Sequence, residues 1–218
     1  MARLSKAALA AMAIVWTISG AKASSCDRAA TAVQVDVREA NLVVKSDLSL
    51  AELKAMAAAL GRTPAHPVLG LYLGTVGYAL RRIDPVGDPP RDGDREPCSE
   101  FLVRAQLVAV DRRIVVASDL LVVPCRFQAA AEHYRRHAAA ASRALHTFAA
   151  DLPQTLGPEI DDYLRGESGW SQTRRFAFAQ HVNSLLDRAV EMFTRSLPEI
   201  QSRVDSSGEV SWFLSRCS

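Results

Sequence analysis

The order of patterns along the chain predicts an α+β fold: an N-terminal antiparallel sheet with one helix, followed by long C-terminal helices, clasped by disulfides. Three observations predict it. Apolar, often β-branched residues alternate with polar ones through much of Ala32 to Ala117. From Phe127 onward the chain becomes Ala-rich, with no Gly or Pro before Pro153. Strands come first and helices later, without the βαβ alternation that a parallel sheet with crossover helices needs.

The elements follow in order. Val33, Val35 and Val37 alternate with polar residues, and Leu42, Val43 and Val44 continue the pattern, so Ala32–Ser46 reads as strand. Ser49-Leu50-Ala51-Glu52 is a capping box, in which the Ser hydroxyl and the Glu carboxylate each accept a free backbone N–H of the other. The helix it opens runs through Leu53, Met56 and Leu60 and stops at Gly61. Val68–Leu80 is a further strand, with Gly70, Gly74 and Gly77 marking bulges or close approach. Ile83–Pro97 is dense in Pro, Gly, Asp and Arg and reads as a surface loop. Phe101–Val110 and Arg113–Ala117 then form two strands meeting at Asp111-Arg112, a two-residue hairpin turn.

The helices come next. Phe127–Leu152 carries the stripe Phe127, Ala131, Tyr134, Ala138, Ala141, Leu145 and Phe148. Beyond Pro153, Leu156–Leu164 is a shorter helix, and Gly166–Ser171 breaks the chain. Gln172–Leu197 is the second long helix, with Phe178, Val182, Leu185, Ala189, Met192 and Phe193 inward, and Pro198 interrupts it.

The 218 residues are 49% hydrophobic and 23% charged, which excludes a disordered or solvating arm. Residues 1–23 read as a signal peptide: Met1–Lys6 is cationic, Ala7–Ile18 is small and apolar, and Ala21-Lys22-Ala23 has the form signal peptidase cuts. The apolar run is shorter than the ~20 residues that span a bilayer. A lipoprotein modified at Cys26 is the alternative, opposed by Lys22 and by the lack of a large apolar residue three positions before Cys26. Residues 24–218 then form a single domain, exported to the periplasm or the extracellular space, with no membrane span. Arg3, Lys6 and Lys22 account for +3, so of the formal +2 the remainder carries −1. Such a body offers no field to draw in nucleic acid.

Export turns the four cysteines into candidate bridges with three connectivities. In the hairpin register Val110 faces Arg113, which places Cys98 opposite Cys125 at the open end. Cys26 and Cys217, the two extremities of the mature chain, are left to pair. Free or intermolecular thiols are the alternative.

One constellation carries chemistry: Glu132-His133-Tyr134-Arg135-Arg136-His137. Two His four apart share a helix face and can reach one metal ion. This is the spacing of the H-E-x-x-H zinc motif, but Tyr134 stands where that motif has its Glu. A phenol is a poor general base at neutral pH, and Glu132 lies about 100° round the helix. Zinc needs a third ligand; His181, or Glu159, Asp161 or Asp162 in the intervening segment, could swing in. Arg135 and Arg136 would repel a cation. His146 lies about 180° from His137, and it and His66 read as solvated or capping residues. There is no G-x-S-x-G, P-loop, dinucleotide fingerprint or C-x-x-C.

A strand, then RRIVVASDLLVVPC, then a helix with EHYRRH resembles a family of uncharacterised secreted bacterial proteins predicted to be zincin-like (HExxH) metallopeptidases. The ending VDSSGEVSWFLSRC is similar to that family's Asp-rich tail closing on a Cys. The resemblance implies that His133 and His137 fall on the metal-ligand positions and Tyr134 on the catalytic Glu. The expectation is a catalytically impaired zincin-like envelope module that binds zinc, a protein or a peptide. Two alternatives stand beside it: an active zinc metallopeptidase with an unusual base, and a structural disulfide-stabilised exported protein without metal.

Overall fold

The structure, a computed structural model, describes residues 31–61, 68–86, 100–166, 171–205 and 217. The expected signal segment 1–23, Cys26, Cys98 and His66 lie outside the described residues. Strands precede helices, as an α+β chain requires: β1 (Ala32–Glu39), β2 (Val43–Lys45), α1 (Leu50–Ala59), β3 (Gly70–Val86), β4 (Glu100–Val116), a 3-10 turn at Ser118–Val122, α2 (Pro124–Gly166) and α3 (Gln172–Ser202).

β4 is the centre of the sheet. β3 pairs antiparallel along its whole length, from Val86↔Glu100 to Gly70↔Val116. β1 and β2 share the other edge and run parallel to it, β1 against Leu102–Ala109 and β2 against Arg113–Val115. The sheet expected to be antiparallel is therefore mixed: only β3 runs antiparallel to β4. β3 also runs on through Ile83–Val86, where a loop was expected, and Pro85 is accommodated because β3 is an edge strand.

The hairpin turn at Asp111-Arg112 is corrected. The backbone runs through those residues as strand. Asp111 keeps the left-handed conformation of a turn residue, φ 52°, and uses it for a bulge. Asp111 and Arg112 together oppose Gly74, between the pairs Leu73↔Arg113 and Thr75↔Val110. One extra residue exchanges the two faces of a strand. Phe101, Val103, Ala105, Leu107 and Ala109 point inward before the bulge; Arg112, Ile114 and Val116 do so after it.

This also removes the basis of the expected bridges. Without a turn, the ends of β4 lie about 50 Å apart, so the hairpin register that set one cysteine against the other is gone. Cys125 pairs instead with Cys217, Cα–Cα 5.9 Å, which overturns both Cys98 with Cys125 and Cys26 with Cys217.

α1 begins with the expected capping box: Ser49 N donates to Glu52 Oε2 at 2.7 Å, and Glu52 N donates to Ser49 Oγ at 3.3 Å. Gly61, at φ 66°, closes it in the left-handed region. The long helices depart further from expectation. Pro153 and Pro158 lie inside α2, so Leu156–Leu164 is no separate helix, and Pro198 lies inside α3. An interior proline costs about 3 kcal/mol. Against that, Leu152, Leu156, Ile160 and Leu164 keep one buried stripe across both α2 prolines, each stabilising by roughly 1.5–3 kcal/mol. Continuity of the stripe outweighs the two breaks.

That stripe packs with Phe178, Val182, Leu185, Leu186, Ala189 and Phe193 of α3 on the inward face of β4. A second cluster joins Leu53 and Ala57 of α1 to Leu71, Ile114, Val116 and the start of α2. α2 and α3 are antiparallel: Tyr163 stacks on His181, Glu159 pairs with Arg188, Phe148 stacks on Phe193, and His137 meets Gln201. No helix among the described residues is long and apolar enough to cross a membrane.

Candidate metal centre

His133 and His137 sit one turn apart near the start of α2, His137 buried and His133 nearly so. Their Nε2 atoms lie 3.1 Å apart. The third member is Asp205, three residues beyond α3, whose Oδ1 is 2.9 Å from His137 Nε2 and 3.2 Å from His133 Nε2. Helix lengths explain the meeting. From His137 to the end of α2 is 29 residues, and α3 is 31 residues long. At 1.5 Å per residue these rise about 44 and 46 Å, so the returning helix delivers its C-terminal end to the level of His137.

Protonation can be read from hydrogen bonds. Gln201 Nε2 donates to the His137 carbonyl oxygen at 3.3 Å, so its Oε1 faces His137 Nδ1, at 2.5 Å. An amide oxygen only accepts, so Nδ1 carries a ring proton and Nε2 is the atom turned toward the other two residues. It faces a carboxylate oxygen and a second imidazole nitrogen. Protons on the two rings can serve the contacts with Asp205 but leave the two Nε2 atoms facing each other; a metal ion satisfies all three contacts. His133 Nδ1 is buried without a partner among the described residues. Burial opposes ionisation of Asp205, but hydrogen bonds from His133 and His137, with their charges, overcome it and hold its carboxyl well below the usual carboxylate range.

The donor set fits a small divalent transition metal. Tetrahedral ligation at about 2.0–2.1 Å separates neighbouring ligand atoms by about 3.3 Å, close to the distances here. Two imidazoles and one carboxylate suit zinc and its neighbours better than calcium or magnesium, which take mainly oxygen. The Gln201 bond to His137 Nδ1 is the usual support for a ligating imidazole.

Of the sequence-nominated residues, the structure brings His133 and His137 together and none of the four proposed third ligands. Glu159, Asp161 and Asp162 lie on the same helix, 22 or more residues past His137, about 33 Å along its axis. Each has its own partner: Arg188 for Glu159, the backbone N–H of Thr31 for Asp161, and Arg165 for Asp162. His181 stacks on Tyr163, ring centroids 4.1 Å apart. Sequence reasoning missed Asp205 because Pro198 was read as the end of the second long helix. The Asp at the head of the tail was the available signal.

Tyr134 has a packing role. Its ring stacks on His137, centroids 5.5 Å apart, and lies over Gly70, where a Cβ would come within 2.6 Å of it. Arg136 reaches Glu132 at 3.7 Å, which offsets its charge beside the site. His146, read as solvated or capping, contacts Glu39 at 3.1 Å. Glu39 also pairs with Arg112 and accepts from Ser142, making a balanced polar cluster on the sheet side of α2.

No protein-family model, curated protein or solved structure matches this chain.

Proposed function

We propose that this protein is an exported metal-binding module of the cell envelope. It holds one divalent ion of the zinc type on His133, His137 and Asp205 and does not use it for hydrolysis. The observation that carries this reading is the meeting of three acceptor atoms within 3.2 Å of one another. Two features argue for binding over catalysis. Tyr134 occupies the place of the catalytic Glu in the zincin-like pattern, and its ring is engaged in packing. Asp205 is itself a ligand, so it is not available to polarise a water. Export rests on the signal-like start of the chain, and the Cys125–Cys217 bridge fits an oxidising compartment.

The test is calorimetric titration of purified protein with zinc, alongside His133→Ala and Asp205→Ala and an assay of peptide hydrolysis. One equivalent bound by the native protein, strongly weakened binding in both variants and no chelator-sensitive hydrolysis are the expected results. No zinc uptake overturns the reading. Chelator-sensitive hydrolysis overturns its non-catalytic part.

A further inference from the structure

We propose that the Cys125–Cys217 disulfide controls the metal centre: closed, it presets Asp205 against the helix bearing both imidazoles, and its reduction lowers affinity for the ion. This rests on the metal-binding reading above. Bridge and ligands join the same two parts of the chain. Cys125 is the second residue of α2, and His133 and His137 follow 8 and 12 residues later on that helix, about 12 and 18 Å along its axis. Asp205 follows α3, and Cys217 lies 12 residues beyond it. The segment carrying the third ligand is therefore fastened to α2 on both sides, by Gln201 on His137 and by Cys217 on Cys125.

Opening the bridge leaves one of those fastenings. The last turn of α3 follows Pro198, which has no N–H for the helix ladder. Asp205 then has no tie to α2 on its C-terminal side, and the geometry around it is held by Gln201 alone. Ligating the ion must first restore that geometry, and affinity falls by the cost. Linkage is reciprocal, so a bound ion protects the bridge by the same factor. The reductant is a dithiol: one thiolate attacks a cystine sulfur, the S–S bond breaks into a mixed disulfide, and the second thiol closes a ring. Two electrons pass to the cystine, and two protons end on Cys125 and Cys217.

The experiment is a zinc titration of the native protein and of the Cys125→Ser/Cys217→Ser double variant, with circular dichroism to establish the fold. The expected result is affinity weakened about tenfold, within the usual span of coupling between sites; equal affinity overturns the proposal. If the double variant does not fold, reduction of the native bridge by a water-soluble phosphine decides. In that reaction the phosphine takes oxygen from water and the two sulfurs take its protons. Alkylation of Cys125 and Cys217, read by peptide mass, should be several-fold slower with zinc in native protein and indifferent to zinc in Asp205→Ala. Equal rates with and without zinc in native protein overturn the coupling while leaving metal binding intact. A native protein that takes up no zinc overturns the metal reading and this proposal with it.

Discussion

The two ends of the α2–α3 pair carry similar residues to opposite effect. At the Gly166 end, Glu159, Asp161 and Asp162 each find a separate partner in Arg188, Thr31 and Arg165, and the His181 ring stacks on Tyr163. At the other end, His133, His137 and Asp205 converge on one another. Midway along α2 lies a control. Glu39 is partly buried beside Ser142 and the exposed His146, and there the bulge at Asp111 aims Arg112 inward as the cation. Acidic and imidazole groups gather in all three places. What sets the metal centre apart is that three ligand atoms converge on one point.

Glu39→Ala gives the largest effect. It strands Arg112, whose side chain is only 12% exposed, and breaking one half of a buried pair costs about 3–5 kcal/mol. Urea unfolding should show that loss with zinc affinity preserved; a loss below about 1 kcal/mol would mean that water already serves Arg112.

Zinc itself distinguishes the two ends. At a hundredfold excess over its dissociation constant, it should stabilise native protein by about 2.7 kcal/mol, visible as a raised melting midpoint. His137→Ala should lose that gain, and His181→Ala should keep it. The opposite assignment would move the metal to the Gly166 end.

The smallest effect is on pH dependence. Burial pushes the His181 imidazole below its usual 6.5, the Arg188 charge adds to this, and Glu159 opposes it. The folded state favours the neutral ring, so the stability this group contributes is present above pH 6.5 and lost as the pH falls below it. In His181→Phe, which keeps a ring against Tyr163, stability should fall less steeply from pH 6.5 downward than in native protein. Identical slopes would show that His181 is solvated.

Much of this was legible in the residues, for physical reasons. Alternation exposed the strands, the Ser49–Glu52 box marked the start of α1, and the i,i+4 histidines gave two thirds of the centre. Local signals misled where packing overrode them. Asp111 has the conformation of a turn residue, yet β1 and β2 pair parallel on either side of it and keep the strand running. Pro153 and Pro158 look like stops, yet the buried stripe from Leu152 to Leu164 carries the helix across them. The third ligand depended on the helix corrections, at Pro153 and Pro158 in α2 and at Pro198 in α3. Only when α2 and α3 have comparable full lengths does Asp205, 68 residues from His137, return to it.

The most direct measurement is the zinc-edge X-ray absorption spectrum of zinc-loaded protein. The account predicts a first shell of two imidazole nitrogens with oxygen donors and no sulfur, at about 2.0–2.1 Å, with the imidazole signal weakened in His133→Ala. A shell containing sulfur, or one lacking imidazole, would contradict it.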